Sequence, residues 1–290
     1  MDGLKKISYS QYSMWAQCPH RWKTAYIDGH REFSDNIHTL FGTSMHEVIQ
    51  TFLTVMYNDT AKMAEALPLE DMLLTRMKRN FESVLETNGG EMFCTEKDMV
   101  EFYQHGVEIL KFIRKKRAQY FSKKGYELIG IEVPLNYDLP NNVKFVGYID
   151  IVIRDTVRDV IKIYDIKTST MGWNKWMKAD KNKTDQLLLY KQFYGAQHDI
   201  PLDKIDVEYF IVKRKLYEGL DFPQRRVQTF SPASGKPSVN KVITNLNQFI
   251  DQSFINGEYN TDHTYIKTPS KKNCKWCEFN QTEHCDSGVK

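Results

Sequence analysis

Three runs rich in Val, Ile and Tyr follow one another between residues 126 and 167, and no other stretch constrains the fold as much. Tyr126–Tyr137, Val143–Arg154 and Val160–Lys167 are of strand length and composition, and turn signals such as Pro140-Asn141-Asn142 separate them. Three consecutive strands with hairpin-like links are expected.

The chain on either side reads mainly as helix. Residues 7–27 carry Ser8 and Ser10 as caps and apolar residues at helical spacing, interrupted by Cys18-Pro19; proline is tolerated at a helix start, so two short helices should meet at Cys18. In LFGTSMHEVIQTFLTVM, Ser44 and Glu47 form a capping-box pattern, Met45, Ile49, Phe52 and Met56 mark one face, and His46 falls in the first turn. Helical pattern continues to about residue 124 with a break at Asn88-Gly89-Gly90, which predicts a helical insertion over 47–124. Its closing basic run, Lys111 and Arg114 to Arg117, suits a solvated face or a DNA path. Beyond the three strands, Lys181–Gln197 reads as helix, Ile205–Lys213 and Arg225–Phe230 as strands, and Val239–Ile255 as a last amphipathic helix. The fold class that results is α/β: one domain over 1–290 with a mixed sheet flanked by helices.

A chain of 290 residues with 41% hydrophobic content has material for a sizeable core. Its net charge of +3 gives no whole-chain argument for a polyanionic partner, so any such surface must come from local clustering. The N-terminus lacks the apolar run of a signal peptide and no stretch is long enough to span a bilayer. A soluble, cytoplasmic protein without a membrane partner is expected, in the host cytoplasm if phage-encoded.

Strand alternation indicates chemistry. Asp165 and Lys167 project to one face with Ile166 opposite, and Asp150 shares a face with Tyr148 and Val152. If the two strands are antiparallel neighbours, both aspartates reach one divalent ion. Hard oxygen ligands suit Mg²⁺ or Mn²⁺, which stabilises the charge developing on an attacked phosphodiester. A lysine beside the site orients the attacking water and neutralises the phosphate.

Gly42-x-x-x-His46, Glu132, Gly147-Tyr148-Ile149-Asp150, Asp165-Ile166-Lys167-Thr168 and Gln186-x-x-x-Tyr190 together resemble the PD-(D/E)xK nuclease superfamily, specifically its RecB/Cas4-like exonuclease branch. The resemblance implies that His46, Asp150, Asp165 and the Ile166 carbonyl ligate the metal, that Lys167 is the catalytic lysine, and that Glu132 is the acidic residue of the first strand. Gln186 and Tyr190, one helical turn apart, would support the active site and DNA. The implied activity is hydrolysis of DNA, preferably at single-stranded ends, in recombination, repair, replication or CRISPR adaptation. A nuclease-fold scaffold inside a larger DNA-processing complex, bound to protein partners, is the other reading.

Five cysteines, with three crowded into the last seventeen residues, point to metal or cofactor ligation more than to disulfides, with Cys94 left as a plain thiol. The same resemblance implies a [4Fe–4S] cluster on Cys18, Cys274, Cys277 and Cys285, clasping residues 1–27 to 265–290. Zinc is the alternative, since Cys₄ and Cys₃His sites use the same C-x-x-C element and His20 and His284 lie beside the ligands. Finally, Trp173 and Trp176 interleave with Lys175, Lys178, Lys181 and Lys183, which offers faces for bases and charge for phosphates on a single strand. The competing reading is a solvated loop with its tryptophans packed inward.

Overall fold

The computed structural model describes residues 4–31 and 35–289; the outermost residues of the expected clasp, 1–3 and 290, lie outside that range. A short strand β1 (Lys5–Ile7) precedes α1 (Tyr9–Gln17) and α2 (Pro19–Tyr26). Cys18 ends the first helix and caps the second, its extended backbone turning the chain and its N–H donating to the Met14 carbonyl at 3.0 Å. Pro19 takes the first helical position, where no N–H is needed.

The next helix, α3 (Ile37–Asn58), corrects one expectation. It is capped by Asn36, whose side chain accepts from the N–H groups of His38 and Thr39, while Thr39 reaches back to the Asn36 N–H. Ser44 is no cap: it is buried inside the helix, donating to the Leu40 carbonyl at 2.9 Å and accepting from Asn80. Glu47 turns outward to Arg76 and Arg79. His46 therefore sits well inside α3, where packing fixes its direction.

Helices α4 (Ala61–Glu65), α5 (Leu69–Thr87) and α6 (Glu96–Tyr120) follow, with the Asn88-Gly89-Gly90 break between the last two. Three members of the basic run of α6 are engaged within these helices. Arg114 donates to the Leu67 carbonyl and pairs with Glu70, Arg117 pairs with Glu65, and Lys111 pairs with Glu108.

The sheet is completed by β2 (Tyr126–Leu139), β3 (Val143–Asp155), β4 (Val160–Ser169), β5 (Ile205–Lys213) and β6 (Val227–Phe230). Short α7 (Lys175–Ala179) and long α8 (Lys181–Gln197) cross from β4 to β5, so those two strands run parallel; α9 (Lys236–Ser253) and α10 (Lys271–Cys274) close the chain. The sheet is mixed. β2 covers one edge of β3 along nearly its whole length. The other edge is shared: β1 takes Val143 to Phe145 in parallel, and β4 takes Ile151 to Asp155 antiparallel. Between them, residues 146–150 have no partner strand on that edge. The three-residue β1 was not expected, being too short for a periodicity signal.

Helices cover both faces. Ile149, Val152 and Ile163 pack with Leu187 and Leu188 of α8, Phe249 of α9 and Trp22 of α2. On the opposite face Ile151, Ile153 and Ile166 pack with Phe41, Val48 and Phe52 of α3. Each such fully buried side chain contributes roughly 1.5–3 kcal/mol of apolar transfer. Ile149 and Ile151 belong to opposite faces although they are two apart, so strict alternation fails at Asp150. Opposite it, β2 bends as well: Glu132 has φ of 49°, a left-handed conformation costly for a glutamate. Among the described residues no helix is long and apolar enough to cross a membrane.

Candidate active site

The unpaired stretch of β3 is where the polar groups gather. Beyond Tyr164 the strand β4 leaves its ladder with β3, and the Asp150 carboxylate takes over a strand's role by accepting the Ile166 N–H at 2.6 Å. Asp165, 1% exposed, lies in the fork. The Lys167 ammonium stands 2.8 Å from Asp165 Oδ2 and donates to Gln186 Oε1 at 3.0 Å; Gln186 in turn donates to the Tyr190 hydroxyl at 3.0 Å. Gly147 faces that tyrosine, and a Cβ there would stand 3.3 Å from its ring.

Helix α3 approaches from the other side with Gly42, His46 and Gln50 at i, i+4 and i+8, hence on one face. Gly42 lets the helix close on Thr168, with room for a Cβ only at 3.4 Å from that hydroxyl. His46 Nδ1 is 3.6 Å from Asp150 Oδ2. Gln50 donates to Glu132 Oε1 and, at 3.4 Å, to the Asp150 carbonyl. Gln50 was missed from the sequence, although its spacing of four from His46 was a usable signal.

Burial dominates the electrostatics of the fork. Burial pushes the Asp150 carboxyl up to about 6 against the opposing pull of Lys167 and the Ile166 N–H. Burial likewise raises Asp165 to about 6, opposed by Lys167 and reinforced by Asp150. Burial lowers the pKa of His46, which attraction to Asp165 only partly offsets, so the imidazole is neutral at pH 7 and its proximity to Asp150 is not an ion pair. Tyr190 is pushed up, first by burial.

Among the described residues no three His, Cys, Asp or Glu side chains form a ready metal cage as they stand. The donor chemistry at the fork nonetheless suits a hard divalent cation: two carboxylates, a neutral imidazole and a strand carbonyl. Asp165 Oδ2 in particular is buried, with the Lys167 ammonium at 2.8 Å as its one close partner among the described residues.

Cys18, Cys274, Cys277 and Cys285 line one cleft together with His20 and Arg21. All four are free thiols there, and burial raises the Cys277 pKa. The two chain ends are tied around it: Thr268 Oγ1 and Asn273 Nδ2 donate to the Gln17 carbonyl, and Arg21 pairs with Glu278 at 2.6 Å. Cys94 lies apart in the α5–α6 link.

The tryptophans divide. Trp173 is buried against Tyr209, with ring centroids 4.8 Å apart, and its backbone is held at both ends by Gln228. Its ring is part of the core, which corrects the expectation that it offers a face to a base. Trp176 is exposed, with the Lys175 ammonium 4.8 Å from its ring centroid.

A mixed sheet flanked by helices, with acidic residues and a lysine at a fork between its central strands, defines a nuclease-type α/β fold. The PD-(D/E)XK nuclease superfamily matches residues 6–282, and the chain belongs to it. No curated protein matches. Among solved structures, a candidate exonuclease from Eubacterium rectale is similar at 14% identity and a TM-score of 0.49, over 85% of this chain and 79% of that one. A second structure, SSO0001, is similar at 11% identity and a TM-score of 0.32, over 94% and 96% of the two chains. The family assignment rests on the superfamily match and not on these two.

Proposed function

We propose that the chain is a divalent-metal-dependent deoxyribonuclease of the RecB/Cas4-like type that acts on single-stranded DNA ends in recombination, repair, replication or CRISPR adaptation. What carries the proposal is the convergence of Asp150, Asp165 and Lys167 at the unpaired edge of β3, in a chain of this superfamily. Asp150, Asp165, His46 and the Ile166 carbonyl are the groups that would hold Mg²⁺ or Mn²⁺. Such an ion supplies charge neutralisation at the scissile phosphate and lowers the pKa of water. Lys167, held between Asp165 and Gln186, presents its ammonium to the phosphate and to the attacking water. Gln186 and Tyr190 fix that lysine from α8, and Glu132, steadied by Gln50, sets the bend that turns Asp150 into the fork.

The proposal extends to the chain ends. In a single nuclease domain with residues 47–124 inserted, Cys18, Cys274, Cys277 and Cys285 hold a structural [4Fe–4S] cluster, zinc being the alternative; the support is that all four thiols line one cleft. An absorption spectrum of freshly purified protein separates iron–sulfur from zinc. The enzymatic reading is tested on end-labelled single- and double-stranded DNA with Mg²⁺, Mn²⁺ or chelator. Metal-dependent shortening of the single strand is expected. DNA binding without cleavage in any metal would overturn the enzymatic reading in favour of a scaffold within a larger complex.

A further inference from the structure

Two tryptophans are almost fully solvent-exposed, Trp176 at 73% and Trp276 at 80%, against the strong tendency of this side chain to be buried. They are a hundred residues apart in sequence, one in α7 and the other just past α10 in the C-terminal segment. The fold brings their elements together: Lys272 of α10 pairs at 2.9 Å with Asp180, the residue joining α7 to α8. Each tryptophan carries a lysine over its ring, Lys175 at 4.8 Å and Lys275 at 5.1 Å from the centroid. Lys175, Lys271 and Lys275 make no ion pair with an acidic group among the described residues, while Asp180, the acidic residue at the junction, is occupied by Lys272. The surface therefore pairs exposed indoles with ammonium groups that make no ion pair among the described residues.

We infer that Trp176 and Trp276 form a two-part stacking platform for single-stranded DNA, with Lys175, Lys271 and Lys275 on its phosphates. Resting on the nuclease reading above, this assigns the clasp a direct part in gripping the substrate. Stacking on an indole tolerates any base, and a flanking ammonium meets the backbone, the combination by which single strands are bound without regard to sequence. Asp180 caps α8, and Gln186, which holds Lys167, lies six residues on, about 9 Å along the helix.

The test uses the full-length protein in chelator, so that DNA is bound and not cut, and follows tryptophan fluorescence during titration with a short oligothymidylate. Trp176→Ala and Trp276→Ala should each weaken binding about ten-fold, with Trp→Phe at either position retaining most of it. Because both side chains are exposed, these variants should fold normally by circular dichroism. Oligonucleotide affinity that is unchanged in both alanine variants would overturn the platform while leaving the nuclease reading intact. Failure of the unaltered protein to bind the oligonucleotide in chelator would overturn the platform, whereas the nuclease reading falls only if no metal supports cleavage.

Discussion

The fork between β3 and β4 and the cleft between the chain ends are both built from groups that invite a metal, yet they are held in opposite ways. At the fork, backbone does the positioning. β2 runs along one whole edge of β3, β1 and β4 share the other, and the carboxylates fall in the gap that remains. At the cleft, four thiols are brought together by two short helices, a four-residue helix and a handful of side-chain contacts to Gln17 and Glu278. The fork is thus fixed by strand pairing, whereas the cleft is held by side-chain contacts between the two chain ends.

The comparison is broken most severely at the fork itself. Lys167→Ala or Asp150→Ala should reduce DNA cleavage by about three orders of magnitude or more, the scale at which loss of preorganised electrostatic groups is felt, while circular dichroism stays that of the native fold. Cleavage persisting near its original rate in either variant would remove the fork from the chemistry.

The clasp should respond in the opposite sense. If the four thiols hold the proposed cluster, Cys18→Ser should lower unfolding free energy by about 3 kcal/mol, the scale of losing a staple that closes a long loop. At 25 °C cleavage of a small phosphodiester should stay within about two-fold of the unaltered protein, because the strands hold the fork. Equal losses of stability and of cleavage would show that the two regions are one unit.

A smaller effect sharpens the role of the bend. Gln50→Ala leaves Glu132 without its donor beside the left-handed turn of β2, and should cost about 1 kcal/mol of stability together with a several-fold fall in cleavage. Loss of stability alone would make Gln50 a packing residue. Smaller again is Gly147→Ala, whose Cβ would press on the Tyr190 ring and should cost about 1 kcal/mol or less in thermal unfolding.

These regions were not equally legible in the sequence. The three strands announced themselves through composition and turns, and the spacing of two between Asp165 and Lys167 was enough to put both on one face. The joint at Cys18 was legible because proline follows it. What escaped were the long-range or conformational features. Nothing local marks Glu132 for φ of 49°, since the usual signal for that region is glycine or asparagine, so the change of face at Asp150 could not be foreseen. The cap at Asn36 lost to a better-formed but false pattern at Ser44. Trp173 and Trp176 look alike in sequence, and only the β5–β6 surface beneath them decides that one is core and the other is not.

The central claim is that Asp150 and Asp165 are held together against their own stability for the sake of a cation. Both have folded pKa values of about 6, above the unfolded value, so without a metal they weaken the fold as pH rises from about 4 through 6, and the loss is complete above that. Each acid, raised to about 6, corresponds to roughly 3 kcal/mol, so the pair amounts to several kcal/mol. The direct measurement is thermal unfolding at pH 7 of the unaltered protein and of Asp165→Asn, with and without Mn²⁺. The account predicts that Mn²⁺ raises the midpoint of the unaltered protein, and that Asp165→Asn unfolds higher than it in chelator and no longer responds to the ion. A variant that is less stable in chelator, or that gains as much from Mn²⁺ as the unaltered protein, would contradict it.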